Sequence, residues 1–136
     1  MNTDAAVCDV VSQEQDPYSV LHFWRQMLKV RRHEAETLCF GDFEVIGDVD
    51  DKPVVAYWRR PLSGKDARTI LVVLNMTAQE EVRFQLPSGV MYEMLASTDP
   101  STRAAAEGVV EMPESGDQDI WLDAYEGIFL GVKSQN

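Results

Sequence analysis

The side chains in this sequence that could do chemistry are aromatic rings, two histidines and a run of aspartates. Trp24, Trp58 and Trp121 could stack on the faces of sugar rings, and Tyr92 could serve as a similar platform. Aromatic side chains more often pack in cores and interfaces. We therefore treat Trp24, Trp58 and Tyr92 as candidate contacts for a sugar or a protein partner, with core or interface packing as the alternative.

The carboxylates and imidazoles are weaker candidates for a metal site. Asp48, Asp50 and Asp51 lie in the segment GDVDDK, and clustered carboxylates can bind calcium. The Gly and Glu positions of an EF-hand loop are missing, and turns select aspartate, so we interpret the segment as a hairpin turn. His22 and His33 have no third ligand at zinc-site spacing, which favours surface or capping roles. The sequence predicts no metal site.

Catalytic and cofactor motifs are also missing from the sequence. No Ser, Cys or Thr lies in a nucleophile motif such as G-x-S-x-G, and no glycine-rich phosphate-binding motif occurs. We therefore predict no catalytic residue and no cofactor.

Composition and charge exclude several classes of partner. The chain has 136 residues, with 23 acidic and 12 basic side chains and a net charge of −11. This charge argues against nucleic acid and anionic membrane surfaces, which attract basic patches. No apolar run reaches the roughly 20 residues that a membrane helix needs. The first residues lack the basic region of a secretory signal. We therefore interpret Cys8 and Cys39 as reduced thiols of a cytoplasmic protein, with a disulfide as the alternative. Asn75-Met76-Thr77 matches a glycosylation sequon, but without a secretory signal we predict no glycan there.

One amphipathic helix is predicted ahead of the strands. Residues 1–15 lack periodicity and are interpreted as a flexible leader, and residues 16–36 as the helix, with Asp16 as its N-cap and Pro17 in its first turn. Apolar side chains recur on one face at helical spacing. These residues are Val20, Phe23, Trp24, Met27 and Leu28.

Residues 37–136 carry the signature of short strands. Residues 69–77 form a nearly continuous apolar run, which is typical of a central strand covered on both faces. In the next segment Val82, Phe84 and Leu86 alternate with polar residues, so they are predicted to point into the core. A further short strand is predicted at 109–112. The fold class is therefore mainly β, an antiparallel β-sandwich preceded by one amphipathic α-helix.

Five sequence pieces, in this order, resemble the C-terminal part of a maltase-type α-glucosidase of the α-amylase superfamily, glycoside hydrolase family 13. They are DPYSVLHFWRQMLKVRR, LCFGDFEVI, VVAYWRR, TILVVLNMT and WLDAYEGIFL. The first is similar to the last helix of the (β/α)8 barrel, and the others to strands of the C-terminal sandwich. Ala124 stands where that family usually has proline.

The resemblance implies a fold and an ancestry, and an accessory role. The family's catalytic carboxylates lie upstream of the matched helix, so the catalytic barrel is expected to be absent and no catalytic residue is carried over. The implied function is a non-catalytic accessory domain linked to the metabolism of α-glucosides such as maltose, sucrose and isomaltose. The alternatives are a carbohydrate-binding module and an interaction partner of a full-length glucosidase. The apolar helix face, without barrel strands to cover it, is expected to fold back on the protein's own sandwich, to form a homodimer or to dock on a glucosidase-like partner, and the homodimer is favoured.

Overall fold

The computed structural model describes residues 9–47, 53–63, 67–99 and 119–133. The aspartate turn and the strand predicted at 109–112 lie outside these residues. Seven strands are described: β1 (Asp42–Val45), β2 (Val54–Arg60), β3 (Ile70–Asn75), β4 (Val82–Gln85), β5 (Tyr92–Ser97), β6 (Asp119–Leu122) and β7 (Gly127–Val132). They follow helices α1 (Val10–Gln15), α2 (Val20–His33) and α3 (Ala35–Leu38).

The strands form two antiparallel sheets. One has five strands in the order β1-β2-β3-β7-β5, and the other pairs β4 with β6. Apolar side chains fill the space between the two sheets, among them Leu71, Val73, Leu122 and Leu130. The predicted mainly β class and antiparallel sandwich are confirmed.

Strand β3 lies at the centre of the larger sheet and is apolar on both faces. Leu71 and Val73 point into the core between the sheets. Ile70 and Val72 point to the opposite face, and they are also fully buried. The prediction of a strand covered on both sides is confirmed. The second cover comes from the helices, which pack on this outer face of the five-stranded sheet.

The helices differ from the predicted boundaries. Asp16 accepts a hydrogen bond from the amide of Tyr18 in a turn, and the N-cap of α2 is Ser19, whose hydroxyl accepts from the amide of His22. The helix ends at His33 with Glu34 as its C-cap, and α3 follows after this break. The prediction of a flexible leader over residues 1–15 is wrong for residues 10–15, which form α1. Asp9 caps α1, and hydrogen bonds from Ser12 lower the pKa of its carboxyl.

Asn75 is a buried polar hub at the end of β3. It is 2% exposed, and its Nδ2 donates to the carbonyls of Gln79 and Asp123, each at 2.7 Å. Its Oδ1 accepts from the amide and the hydroxyl of Thr77. All four hydrogen-bonding positions of the amide are therefore used. The sequon asparagine is thus inside the fold, where a glycan has no room.

No helix among the described residues is long and apolar enough to cross a membrane. Cys39 is an exposed free thiol, and Cys8 lies outside the described residues. The cytoplasmic location stays a prediction.

Gly41 lies where the chain passes from α3 into β1, and this close passage needs a residue without a side chain. A Cβ at this position would lie 2.5 Å from the carbonyl oxygen of Thr37 and nearer still to that of Arg60. We expect Gly41→Ala to lower the free energy of unfolding by about 1–3 kcal/mol, because two backbone segments must move apart. Urea denaturation measures the change. Phe40→Ala, at an exposed neighbour, is the control and should change stability by less than about 0.5 kcal/mol. Equal stability of both variants would contradict the steric argument.

Candidate functional site

Helix α2 lies on the outer face of the five-stranded sheet without burying any of its residues completely. Met27 faces Tyr57 and Phe129 of the sheet across a groove, and Val30 lies near Leu95 of β5. Phe23, Met27 and Val30 are half-buried. This side of the helix is the one that contacts the protein's own sheet.

Polar contacts fasten the end of α2 to the sheet. Glu34 Oε1 accepts from Arg68 Nη2 at 2.6 Å and from Arg68 Nε at 2.9 Å, and Arg68 Nη1 donates to Glu93 of β5. Desolvation lowers the pKa of the Arg68 guanidinium, but hydrogen bonds and charge attraction from Glu34 and Glu93 outweigh it, so the net direction is upward. The hydroxyl of Thr37 donates to the carbonyl of Arg68 at 2.7 Å. Gly131 leaves the space that the guanidinium fills.

A second row of apolar side chains on α2 is exposed to solvent. Val20, Trp24 and Leu28 are 65%, 59% and 57% exposed. Their spacing of four residues places them one above another along the helix. We call these three residues the outer stripe. The predicted apolar face is thus divided, because Phe23 and Met27 are half-buried and the outer stripe is exposed.

Between α2 and the sheet runs an open groove of about 400 Å³. Its lining residues come from α2, α3 and three strands: Trp24, Met27, Leu28, Arg31, Leu38, Phe43, Tyr57, Arg59 and Phe129. The rings of Phe43 and Tyr57 pack at 4.7 Å between centroids, and burial raises the pKa of the Tyr57 hydroxyl against the opposing charge of Arg59. The groove is therefore aromatic, with arginine as its cationic component.

The structure separates the three candidate contact residues. Trp24 is exposed at the groove, whereas Trp58 is half-buried against the core, with its ring 6.4 Å from that of Tyr92. Tyr92 is 1% exposed and donates its hydroxyl to the carbonyl of Pro87, and burial raises its pKa to about 12. The interpretation of Tyr92 as a sugar platform is therefore wrong, since neither face of its ring reaches solvent.

The residues that complete the groove were not singled out from the sequence. Phe43, Arg59 and Phe129 belong to three strands that are distant along the chain. Strand alternation could have placed Tyr57 and Arg59 on one face, but no sequence signal shows that α2 packs beside that face. Only the strand order brings these side chains together.

Metal-binding chemistry finds no support in the part of the chain that the structure describes. No group of three His, Cys, Asp or Glu side chains converges there. The imidazole of His22 lies 3.1 Å from the carbonyl oxygen of Glu14, and His33 is an exposed residue at the helix end.

Comparison with known proteins shows what this chain is similar to. No protein-family profile matches the chain. Oligo-1,6-glucosidase IMA3 of Saccharomyces cerevisiae is 30% identical over 77 residues, and α-glucosidase MAL32 of the same yeast is 30% identical over 80 residues. The trehalulose synthase MutB from Pseudomonas mesoacidophila MX-45 superposes with a TM-score of 0.68 at 28% identity, covering 98% of this chain. The chain is homologous to part of a glycoside hydrolase family 13 α-glucosidase.

The family 13 relatives are much longer than this chain. The matches cover 56% and 58% of it but only 12% and 13% of the two yeast enzymes, and it spans 21% of MutB. Isomaltulose synthase PalI from Klebsiella sp. LX3 superposes with a TM-score of 0.70 at 19% identity, which supports the fold alone. The resemblance inferred from the order of sequence pieces is confirmed, and a match to so small a part of each relative is consistent with a partial C-terminal domain.

Proposed function

We propose that this chain provides a non-catalytic accessory domain, linked to α-glucoside metabolism, that supports an α-glucosidase-type catalytic barrel. The outer stripe of α2 carries the proposal. It is a row of large apolar side chains on a helix whose other side already contacts the protein's own sheet. A barrel surface is the partner that the family 13 homology suggests for this helix.

The energetics favour a covered stripe. Removing an apolar side chain of this size from water contributes roughly 1.5–3 kcal/mol. Val20, Trp24 and Leu28 are each more than half exposed, so most of that contribution is still available to a partner. The contacts of Arg68 and Thr37 hold the end of α2 in place, so docking requires little ordering of the helix. A preformed surface of this kind loses less entropy on binding.

The two carboxylates that bind Arg68 have a structural role. Retaining glycosidases need two carboxyl groups about 5 Å apart with access to the sugar. Glu34 and Glu93 converge, but the guanidinium of Arg68 lies between them and binds both. Glu34 is itself buried at the helix end. This pair fastens α2 to the sheet, and we assign it no part in hydrolysis.

The proposal predicts docking without activity of the chain itself. Purified chain should not hydrolyse maltose, sucrose, isomaltose or a nitrophenyl α-glucoside. Co-expressed with a tagged family 13 barrel that lacks its own C-terminal domain, the chain should co-purify in stoichiometric amount and raise the yield of active barrel. Trp24→Glu with Leu28→Glu should abolish co-purification, because the carboxylates would be buried at the interface.

The control is Lys29→Glu, which makes the same change in net charge at an exposed position of α2 on a different side of the helix from the outer stripe. It should co-purify like the wild type. Turnover by the chain that is lost on mutating one of its own residues would overturn the non-catalytic role. Co-purification of the stripe variant at wild-type level would overturn the docking surface. Retention on a glucan resin, lost in the Trp24 variant, would favour the carbohydrate-binding alternative.

A further inference from the structure

The arginines of the groove differ from most of the other described arginines of this acidic protein, which form ion pairs. Carboxylates of the same chain pair with Arg25, Arg60, Arg68 and Arg83. Arg31 and Arg59 line the groove, and neither has a carboxylate partner within the described residues. The chain has 23 acidic side chains for 12 basic ones. Two arginines without carboxylate partners in one groove are therefore a local reversal of charge.

Neutral contacts hold both arginines in position. Arg31 Nε donates to Cys39 Sγ at 3.5 Å, and Arg59 Nη2 donates to the carbonyl of Leu38 at 3.0 Å. These bonds orient the guanidinium groups, and no carboxylate among the described residues compensates their charge. A guanidinium presents several donors in a planar fork that matches a carboxylate.

Apolar side chains flank the two charges. Trp24, Leu28 and Phe43 line the groove and are all more than half exposed. A ligand that satisfies the whole surface therefore needs apolar groups and anionic groups close together.

We propose that the groove binds a peptide segment of a partner protein in which apolar side chains are flanked by carboxylates. This inference rests on the proposed function, because the segment would belong to the partner that covers the outer stripe. It adds the chemistry by which that partner is recognised: carboxylates on Arg31 and Arg59, and apolar side chains against Trp24, Leu28 and Phe43.

Other occupants fit the groove less well. A second copy that presented the same face would bring like charges together across the interface, which is unfavourable. A neutral sugar leaves both guanidinium charges uncompensated. A nucleic acid would supply anions, but a protein with a net charge of −11 repels a polyanion.

The test uses two fluorescein-labelled synthetic peptides that differ only in charge. In one, glutamates alternate with leucine and phenylalanine, and in the other glutamine replaces each glutamate. Fluorescence anisotropy with the full chain should show roughly tenfold tighter binding of the glutamate peptide at low salt, which is the size expected for two partly exposed ion pairs. The preference should shrink at about 0.5 M salt, where exposed charges are screened. Nonspecific electrostatics would weaken binding of the glutamate peptide, because the acidic protein as a whole repels it. A preference for glutamate therefore indicates recognition at the groove.

Matched variants locate the binding site. Arg31→Gln with Arg59→Gln should remove the preference for glutamate while retaining weak binding of both peptides. Arg32→Gln removes a charge from the neighbouring helix position, which does not line the groove, and should retain the preference. Circular dichroism checks that each variant is folded. Equal affinities of the wild type for the two peptides, or an equal loss in the Arg32 variant, would overturn the proposal. Dimers of the wild type that the Arg31 and Arg59 substitutions dissociate would also overturn it, in favour of a second copy.

The two proposals can fail separately. Failure of the glutamate preference with intact barrel co-purification would remove only the carboxylate recognition. Failure of co-purification with an intact preference would leave an acidic segment of a different partner as the occupant.

Discussion

Val82→Asp is expected to unfold the domain at neutral pH. Val82 is 6% exposed on the inner face of β4, directly opposite Leu122 in the two-stranded sheet. A carboxylate placed there would be buried beside the fully buried Leu122, which offers it no charge to pair with. Burying an unpaired charge costs more than about 4 kcal/mol, which is a large share of the roughly 5–15 kcal/mol that stabilises an ordinary domain. Far-ultraviolet circular dichroism and thermal denaturation should show loss of the cooperative transition.

The matched control is Arg83→Gln at the next position of the same strand. Arg83 points to the opposite, solvent-facing side, where it forms a 2.5 Å ion pair with Asp119. The pair is partly exposed, so its loss should cost no more than about 1 kcal/mol. A folded Val82→Asp protein with the melting temperature of the Arg83 variant would show that β4 does not cover the core as described.

Asn75→Asp is expected to be the second most damaging change, although it alters a single atom. The new oxygen would replace Nδ2, which donates to the carbonyls of Gln79 and Asp123. Two buried acceptors would lose their donor and face a negative charge. We expect a loss of about 3–5 kcal/mol in the free energy of unfolding at pH 7, measured by urea denaturation.

The penalty at Asn75 should depend on pH in a defined direction. Two facing carbonyl oxygens disfavour the charged carboxylate, so the pKa of the introduced aspartate is raised in the folded state above the ordinary value of about 3.9. The folded state then binds the proton more tightly than the unfolded state. The penalty is therefore complete above the folded pKa and diminishes as the pH falls toward about 4. Stability should be compared with that of the wild type at each pH.

Gln79→Glu controls for the added negative charge near this turn. The side chain of Gln79 is exposed, so its conversion should change stability by less than about 0.5 kcal/mol. An Asn75→Asp protein as stable as this control at pH 7 would show that the hub is not needed to hold the turns after β3 and β6.

Local patterns in the sequence correctly predicted much of the fold. The alternation of Val82, Phe84 and Leu86 with polar residues placed β4 correctly, because successive side chains of a strand point to opposite faces. The apolar run through β3 was correctly interpreted as a strand covered on both sides. The order of five sequence pieces predicted a resemblance to part of the α-glucosidases, and the similarity to the yeast enzymes confirms that resemblance. Each of these inferences depended on neighbours along the chain.

Features that depend on long-range contacts were missed or misjudged. Helix α1 is only six residues long, and an isolated helix of that length is unstable in water. Contacts with α2 hold it, including the 2.8 Å ion pair between Glu14 and Arg25. The residue type of Tyr92 does not show whether its ring is an exposed sugar platform or part of the core. Its burial follows from its place in β5 opposite Val132 of β7.

The candidate docking surface also combines a feature that the local sequence predicts with features that depend on long-range contacts. The sequence by itself determined that the helix has an apolar face, because side-chain spacing along a helix is fixed by its geometry. Only the tertiary structure decided which part of that face is covered, since that depends on where Arg68 fastens the helix to the sheet. It also decided that Arg31 and Arg59, from different elements, line one aromatic groove without a carboxylate partner in the described part of the chain. Charge compensation is a property of positions in space, and residues adjacent in space here are far apart in sequence.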